Sequence, residues 1–304
     1  AVMDDKQPNK RDVVIERLLV SDGHALFWAS KWADMFRVTR GQLGSRGVDK
    51  FHRWLVASIQ DNRPYDQFVT DLLTSQGDTF GNPAANYFRA AADTSDATET
   101  TARHFLGIRI QCAKCHNHPF ENWTQDDYYS IGAAFHRVAR QADRISVVGG
   151  GEMVNPRSGK VMTPWGRNRV MPRPLADADR RVAFAGWLTA RGNPFFARAA
   201  VNRIWAHLFG RGIVDPVDDF RSSNPPSNVE LLDRLAVEFE KSGFDRRQIV
   251  RVICNSQTYQ RATASNRFNR DDTTLCSRAP VRLLTAEQLQ DAIGYVTGSV
   301  KTVE

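Results

Sequence analysis

Along most of its length the chain repeats one pattern, apolar side chains three and four positions apart with polar ones between, which is the period of an amphipathic helix. Strict alternation, the mark of a half-buried strand, never runs far enough to build a large sheet. From Arg11 to about Val38 the stripe Val14, Ile15, Leu18, Leu19 passes into an aromatic ladder, Trp28, Trp32 and Phe36, and predicts continuous helix. A second helix is expected over Val48–Ile59 with Phe51, Leu55 and Ile59 inward, and a third after Pro64, a residue tolerated in a first helical turn. Residues 77–91 are rich in Gly, Asn and Pro and read as loop. A helix capped by Ser95 then runs through Thr101, Phe105 and Ile108 and delivers the chain to Cys112.

Beyond that point Thr124-Gln125-Asp126-Asp127 has the form of a capping box with Asp in the Glu position, and opens a helix through Tyr128, Tyr129, Ala133 and Phe135. Residues 140–173 change character, since Val147-Val148-Gly149-Gly150-Gly151 and Asn155-Pro156-Arg157-Ser158-Gly159 are turn material among short β-prone runs. Helical spacing resumes over 176–191, from Asn193-Pro194 to a stop at Gly210, over 228–243, over 246 to about 257, and from the capping box Thr285–Gln288 to Gly298. The fold class is mainly α: a helical domain over 1–140, an irregular, β-hairpin-like insertion over 141–175, and a second helical domain over 176–304.

Composition changes this picture little. At 304 residues, 41% hydrophobic and 25% charged, the chain can bury a substantial core. No run reaches the roughly 18 to 20 apolar residues that a membrane span needs. The net charge of +7 comes from arginines scattered through amphipathic segments, so it points away from nucleic acid. It suits an acidic redox partner protein or an anionic polysaccharide.

The chemistry is concentrated in Cys112-Ala113-Lys114-Cys115-His116-Asn117-His118-Pro119, where eight residues hold two of the four cysteines and two of the seven histidines. C-x-x-C-H is the attachment signature of haem c: Cys112 and Cys115 add to the two vinyl groups and His116 binds the iron from the same side. A place beside the iron ligand, or a contact with a haem propionate, suits His118. For the far side of the iron the chain offers His24, His52, His104, His136, Met153, Met162 and Met171, with His207 and Met35 the favoured pair. The ladder Trp28, Trp32, Phe36 is either core or one wall of a haem crevice. Zinc is the alternative cofactor, held by Cys112, Cys115 and His118 as a structural staple, although no second half-site follows. Cys254 and Cys276 either pair in an oxidising compartment or stay a buried thiol and an unrelated surface thiol. No G-x-S-x-G, H-E-x-x-H, phosphate-binding Gly loop or dinucleotide fingerprint occurs.

The run Phe105–Phe120 with its C-x-x-C-H-N-H-P core, followed by Trp123–Tyr129, resembles the planctomycete-type cytochrome c domain over roughly Val14–Arg140. The segment Val201–Val214, with Ser222–Ser227 and Arg282–Gln288, is similar to the companion C-terminal domain of unknown function that follows it. The resemblance implies haem binding at Cys112, Cys115 and His116 in an exported protein of environmental bacteria, often with a further cytochrome-like domain ahead and linked to polysaccharide breakdown. It supplies no reaction. The expected function is therefore electron transfer by an exported c-type cytochrome module, periplasmic or extracellular, whose leader is not in this chain. Two alternatives stay open: a zinc-stapled binding module for glycans or proteins, and a haem-dependent oxidoreductase using an open iron position on peroxide or oxygen.

Overall fold

The computed structural model describes residues 6–119, 121–164 and 178–299. Among them the chain is mainly α, with twelve α-helices and only short antiparallel strands. The expected first helix is two, α1 (Lys10–Leu19) and α2 (Asp22–Met35), because the Ser21 hydroxyl accepts the His24 amide and starts a new helix in mid-stripe. α3 (Arg40–Gln60) bends at Gly44, where φ is 65°, and packs along α2. α4 (Tyr65–Thr74) begins directly after Pro64, as its spacing predicts.

Residues 77–91 depart from the expected loop. They contain β1 (Gly77–Asp78), a 3-10 turn over Pro83–Ala85 and a one-turn helix α5 (Asn86–Ala90) that buries Tyr87 and Phe88 completely. Five residues are too few to show a helical period, so the turn-forming residues around them dominated the pattern. The buried Asn86 amide donates to the carbonyls of Thr79 and Pro83 and holds the segment in place. α6 (Thr94–Thr101) is capped by Asp93, two residues before the expected Ser95, and continues as one π-helical turn over Ala102–Leu106.

α7 (Gln125–Phe135) carries the capping box read from the sequence, with Thr124 and Asp127 bonding reciprocally. The insertion is two antiparallel pieces. β2 (Val138–Gln141) and β3 (Arg144–Val147) form a hairpin in register Val138↔Val147 and Gln141↔Arg144, with β1 on the far side of β3. β4 (Met153–Val154) pairs with β5 (Val161–Met162) against α7. The rest of the expected insertion, with Met171, lies outside the described residues.

The second half supplies α8 (Arg180–Leu188), α9 (Phe196–Phe209), α10 (Val229–Lys241), α11 (Arg246–Cys254) and α12 (Ala286–Thr297). Asn193 Oδ1 accepts the amides of Phe195 and Phe196, and Gly210 closes α9 in the left-handed region, as the sequence predicts. The Thr285–Gln288 capping box also forms. One continuous core joins the halves. Tyr65 of α4 stacks on Phe196 of α9 at 5.0 Å, and its amide donates to Phe244. Arg181 of α8, only 1% exposed, pairs with Asp179 and donates to the carbonyls of Thr74 and Ser75. Its charge is held inside because its donors meet acceptors there.

Candidate functional site

The C-x-x-C-H motif lies on a 3-10 turn, Gln111–Lys114, and not at a helix end as the sequence suggested. The preceding helix stops at Gly107, where φ is 69° and a Cβ would lie 2.7 Å from the Phe220 ring, so only glycine fits both the conformation and the packing. Ile108 and Ile110 then enter the core before the turn begins. Ala113 is fully buried and pins the turn from below, while Cys112, Cys115 and His116 are exposed.

Local geometry presents three reactive side chains. The Cys115 and His116 amides both donate to the Cys112 carbonyl at 3.3 Å. In a 3-10 turn residues three apart eclipse, so Cys112 and Cys115 project from the same side, and both are free thiols. His116 Nδ1 lies 2.8 Å from the Asn117 carbonyl, an oxygen that only accepts. The proton is therefore on Nδ1 and the lone pair of Nε2 is free for a metal.

α7 clamps the turn. Gln125 Nε2 donates to the carbonyls of Lys114 and Cys115, its amide donates to Asn117 Oδ1, and the Tyr129 hydroxyl donates to Lys114. The His118 amide donates to the Trp123 carbonyl at 2.7 Å. Gln125, buried to 6% exposure, is the residue that motif reading missed. Its only sequence signal is its place at the first position of a capped helix.

The other expected ligands go elsewhere. His207 and Met35 do meet, but in a crevice between α2, α9 and α11 whose walls include none of Cys112, Cys115, His116 and His118. Its cavity volume is about 30 Å3, space for a water or two and far below a porphyrin. Trp28 and Trp32 both line this crevice, Trp28 in an edge-to-face contact with His207 at 5.1 Å, whereas Phe36 belongs to the core. His24 lines the crevice too, and burial together with Arg246 and Arg247 pushes it down to about 4. Burial and Arg203 bring His207 to about 4 as well, so both rings are uncharged at neutral pH. His104 is buried, with Nε2 2.9 Å from the Met35 carbonyl. Met153 and Met162 pack with Ala133 in a small separate cluster.

Among the described residues, no three His, Cys, Asp or Glu side chains converge as a ready-made metal site, so Cys112, Cys115 and His118 are not gathered around one point. Cys254 and Cys276 are free thiols, and burial pushes the Cys254 thiol up to about 11. No described helix is long and apolar enough to cross a membrane.

Residues 1–140 match the PSCyt2 family model, described as a protein of unknown function (DUF1549), and residues 180–304 match the PSD1 family model, described as a protein of unknown function (DUF1553). No curated protein and no solved structure matches the chain. Neither description names a cofactor, so the cytochrome part of the resemblance is not carried by the match. Over nearly all of its length, the chain thus matches two families of unknown function typical of planctomycete proteins, a PSCyt2 region followed by a PSD1 region.

Proposed function

We propose that this chain is an exported c-type cytochrome module, carrying one covalent haem on Cys112 and Cys115 with His116 as proximal ligand. One observation carries the reading. Two free, exposed thiols project from one side of a 3-10 turn, next to an imidazole whose Nε2 lone pair is open. These residues fit the anchoring half of a haem c site; no residue is assigned to the far face, because His207 and Met35 line a different crevice. Haem c, when bound, supplies one-electron transfer.

The chain's own residues do the positioning. The Asn117 carbonyl fixes the His116 tautomer and ring orientation, which leaves Nε2 as the ligating nitrogen. Gln125 and Tyr129 hold the backbone of Lys114 and Cys115, so the spacing of the two thiols is set before any group is attached. Because Cys112, Cys115 and His116 all face solvent, a partner protein reaches the turn without rearrangement of the fold. That openness suits electron transfer with an oxidoreductase better than chemistry in a closed cavity. A periplasmic or extracellular location follows from the reading, since haem c is attached outside the cytoplasmic membrane. The basic surface matches an acidic redox partner or an anionic polysaccharide.

The test is expression in a host that attaches haem c, followed by oxidised and dithionite-reduced visible spectra and a denaturing gel stained for haem. A Soret band, with haem retained on the denatured chain, is expected. A colourless protein with stoichiometric zinc overturns the reading and makes Cys112, Cys115 and His118 part of a zinc staple.

A further inference from the structure

Four cations converge on the crevice between the two helical halves, Lys31 from α2, Arg203 from α9, and Arg246 and Arg247 from the start of α11, and no carboxylate lines it. Among the described residues none of the four makes an ion pair. The arginines are only half satisfied. Arg246 Nη2 donates to the carbonyls of Ser58 and Arg63, Arg247 Nη2 to those of Ile59 and Gln60, and Arg203 Nη2 to that of Arg103. Arg203 Nε, Arg246 Nη1 and Arg247 Nε are buried donors without a partner.

A buried, unpaired guanidinium donor is costly, because its lost hydration is not replaced by any hydrogen bond. Three in one crevice need a common acceptor. The nearest acids are committed elsewhere: Asp245 accepts from Asn62 and the Gln248 amide, and Asp218 accepts from Arg109. His24 and His207 are uncharged at neutral pH and bring no acceptor charge. The remaining walls, among them Trp28, Trp32, Ile204 and Phe239, are apolar, which strengthens any electrostatic contact inside.

We propose that this crevice is an oxyanion-binding site sized for the carboxylate head of a small organic acid, with Arg203, Arg246 and Arg247 as its donors. The size follows from the cavity. About 30 Å3 admits a head group of few atoms. Past Lys31, Met35, Arg203 and His207 the crevice opens into a wider groove of about 480 Å3, bordered by Asp34, Asp215 and Asp218, where the rest of the acid lies. The negative border of that groove disfavours a second anionic group on the ligand. The site shares no residue with the C-x-x-C-H turn, so it goes beyond the cytochrome reading and stands or falls separately from it.

The experiment is a calorimetric titration of the full chain with sodium formate and sodium acetate, against sodium chloride at matched ionic strength. It is repeated on Arg203→Gln and Arg247→Gln. Saturable binding of formate or acetate is expected, weakened at least about tenfold in each variant, the loss of one charged hydrogen bond. Arg246 and Arg247 each bind the halves together through two carbonyl contacts, so only one of them is replaced. If Arg247→Gln fails to fold, Arg203→Gln, which gives up a single carbonyl contact, decides alone. No saturable heat with either acid, chloride matching acetate, or unchanged affinity in the variants overturns the proposal.

Discussion

The C-x-x-C-H turn and the interdomain crevice arrange reactive side chains in opposite ways. On the turn the side chains are exposed and the backbone is fixed: Ala113 is buried below, and Gln125 and Tyr129 hold the carbonyls. In the crevice the charged side chains are half-buried, and three of their donor atoms are buried with no hydrogen-bond partner. The first arrangement costs the fold little, so its residues can be chosen for chemistry alone. The second draws on stability, because buried charge without an acceptor is expensive. A site of the first kind is readable as a local string of residues; one of the second kind exists only after distant segments have packed.

The largest expected effect tests this contrast directly. Replacing both Cys112 and Cys115 with Ala removes all covalently bound haem on a denaturing gel. It leaves the urea midpoint nearly unchanged, within about 0.5 kcal/mol, since both thiols face solvent. A large loss of stability would show that the turn is part of the core, and the contrast would fail. Gln125→Ala comes next. It removes the side-chain donor of the Cys115 carbonyl and leaves the Lys114 carbonyl with the Tyr129 hydroxyl alone, at a cost of about 1 kcal/mol. The fraction of chain that acquires haem drops with it, while formate and acetate affinity stay the same.

Acid separates the regions as well. His104, buried behind the crevice, is driven down to about 3, first by burial and then by Arg203. Its ordinary value of 6.5 returns on unfolding. Above about pH 6.5 the ring is neutral in both states and the fold keeps its full stability. As pH falls from there toward 3, the unfolded chain takes up a proton that the folded chain refuses, so stability drops. By pH 5 the loss approaches about 2 kcal/mol for this one group. Urea titrations at pH 7.5 and 5 measure it, and His104→Gln, which keeps a donor for the Met35 carbonyl, flattens the dependence by one proton. An unchanged dependence in that variant would assign the acid sensitivity to other groups.

The legible parts of the molecule are those whose cause is local. The capping boxes at Thr124 and Thr285 and the stop at Gly210 are short-range hydrogen bonds and backbone conformations, and each forms where the sequence places it. The C-x-x-C-H string was equally visible. The break at Ser21 was missed because the apolar stripe runs on across it, and α5 because five residues show no period. His207 and Met35, each a candidate for the far side of an iron, line one crevice whose walls exclude the C-x-x-C-H turn, since periodicity says which side of a helix faces inward but not which neighbour it meets. The three unsatisfied arginines could not be read at all. Arg203 and Arg246 look like solvated charges on amphipathic helices until α9 and α11 pack against α2.

The smallest effect sharpens the comparison most, because it asks whether one core can serve two sites independently. Ser21 and Thr124 are matched N-caps, each accepting one amide at the start of a helix that furnishes one site. Ser21 opens α2, which carries His24, Trp28, Lys31 and Met35 to the crevice, and Thr124 opens α7, whose first residue is Gln125. Either cap replaced by Ala costs about 1 kcal/mol, so the two variants have similar urea midpoints. Their functional losses are crossed. Ser21→Ala frays the turn that holds His24 and weakens acetate binding without changing haem yield. Thr124→Ala loosens the Gln125 clamp and lowers haem yield without changing acetate binding. If each variant instead impaired both sites equally, the shared core between Tyr65 and Phe196 would be transmitting the change, and the turn and the crevice would have to be treated as one coupled unit.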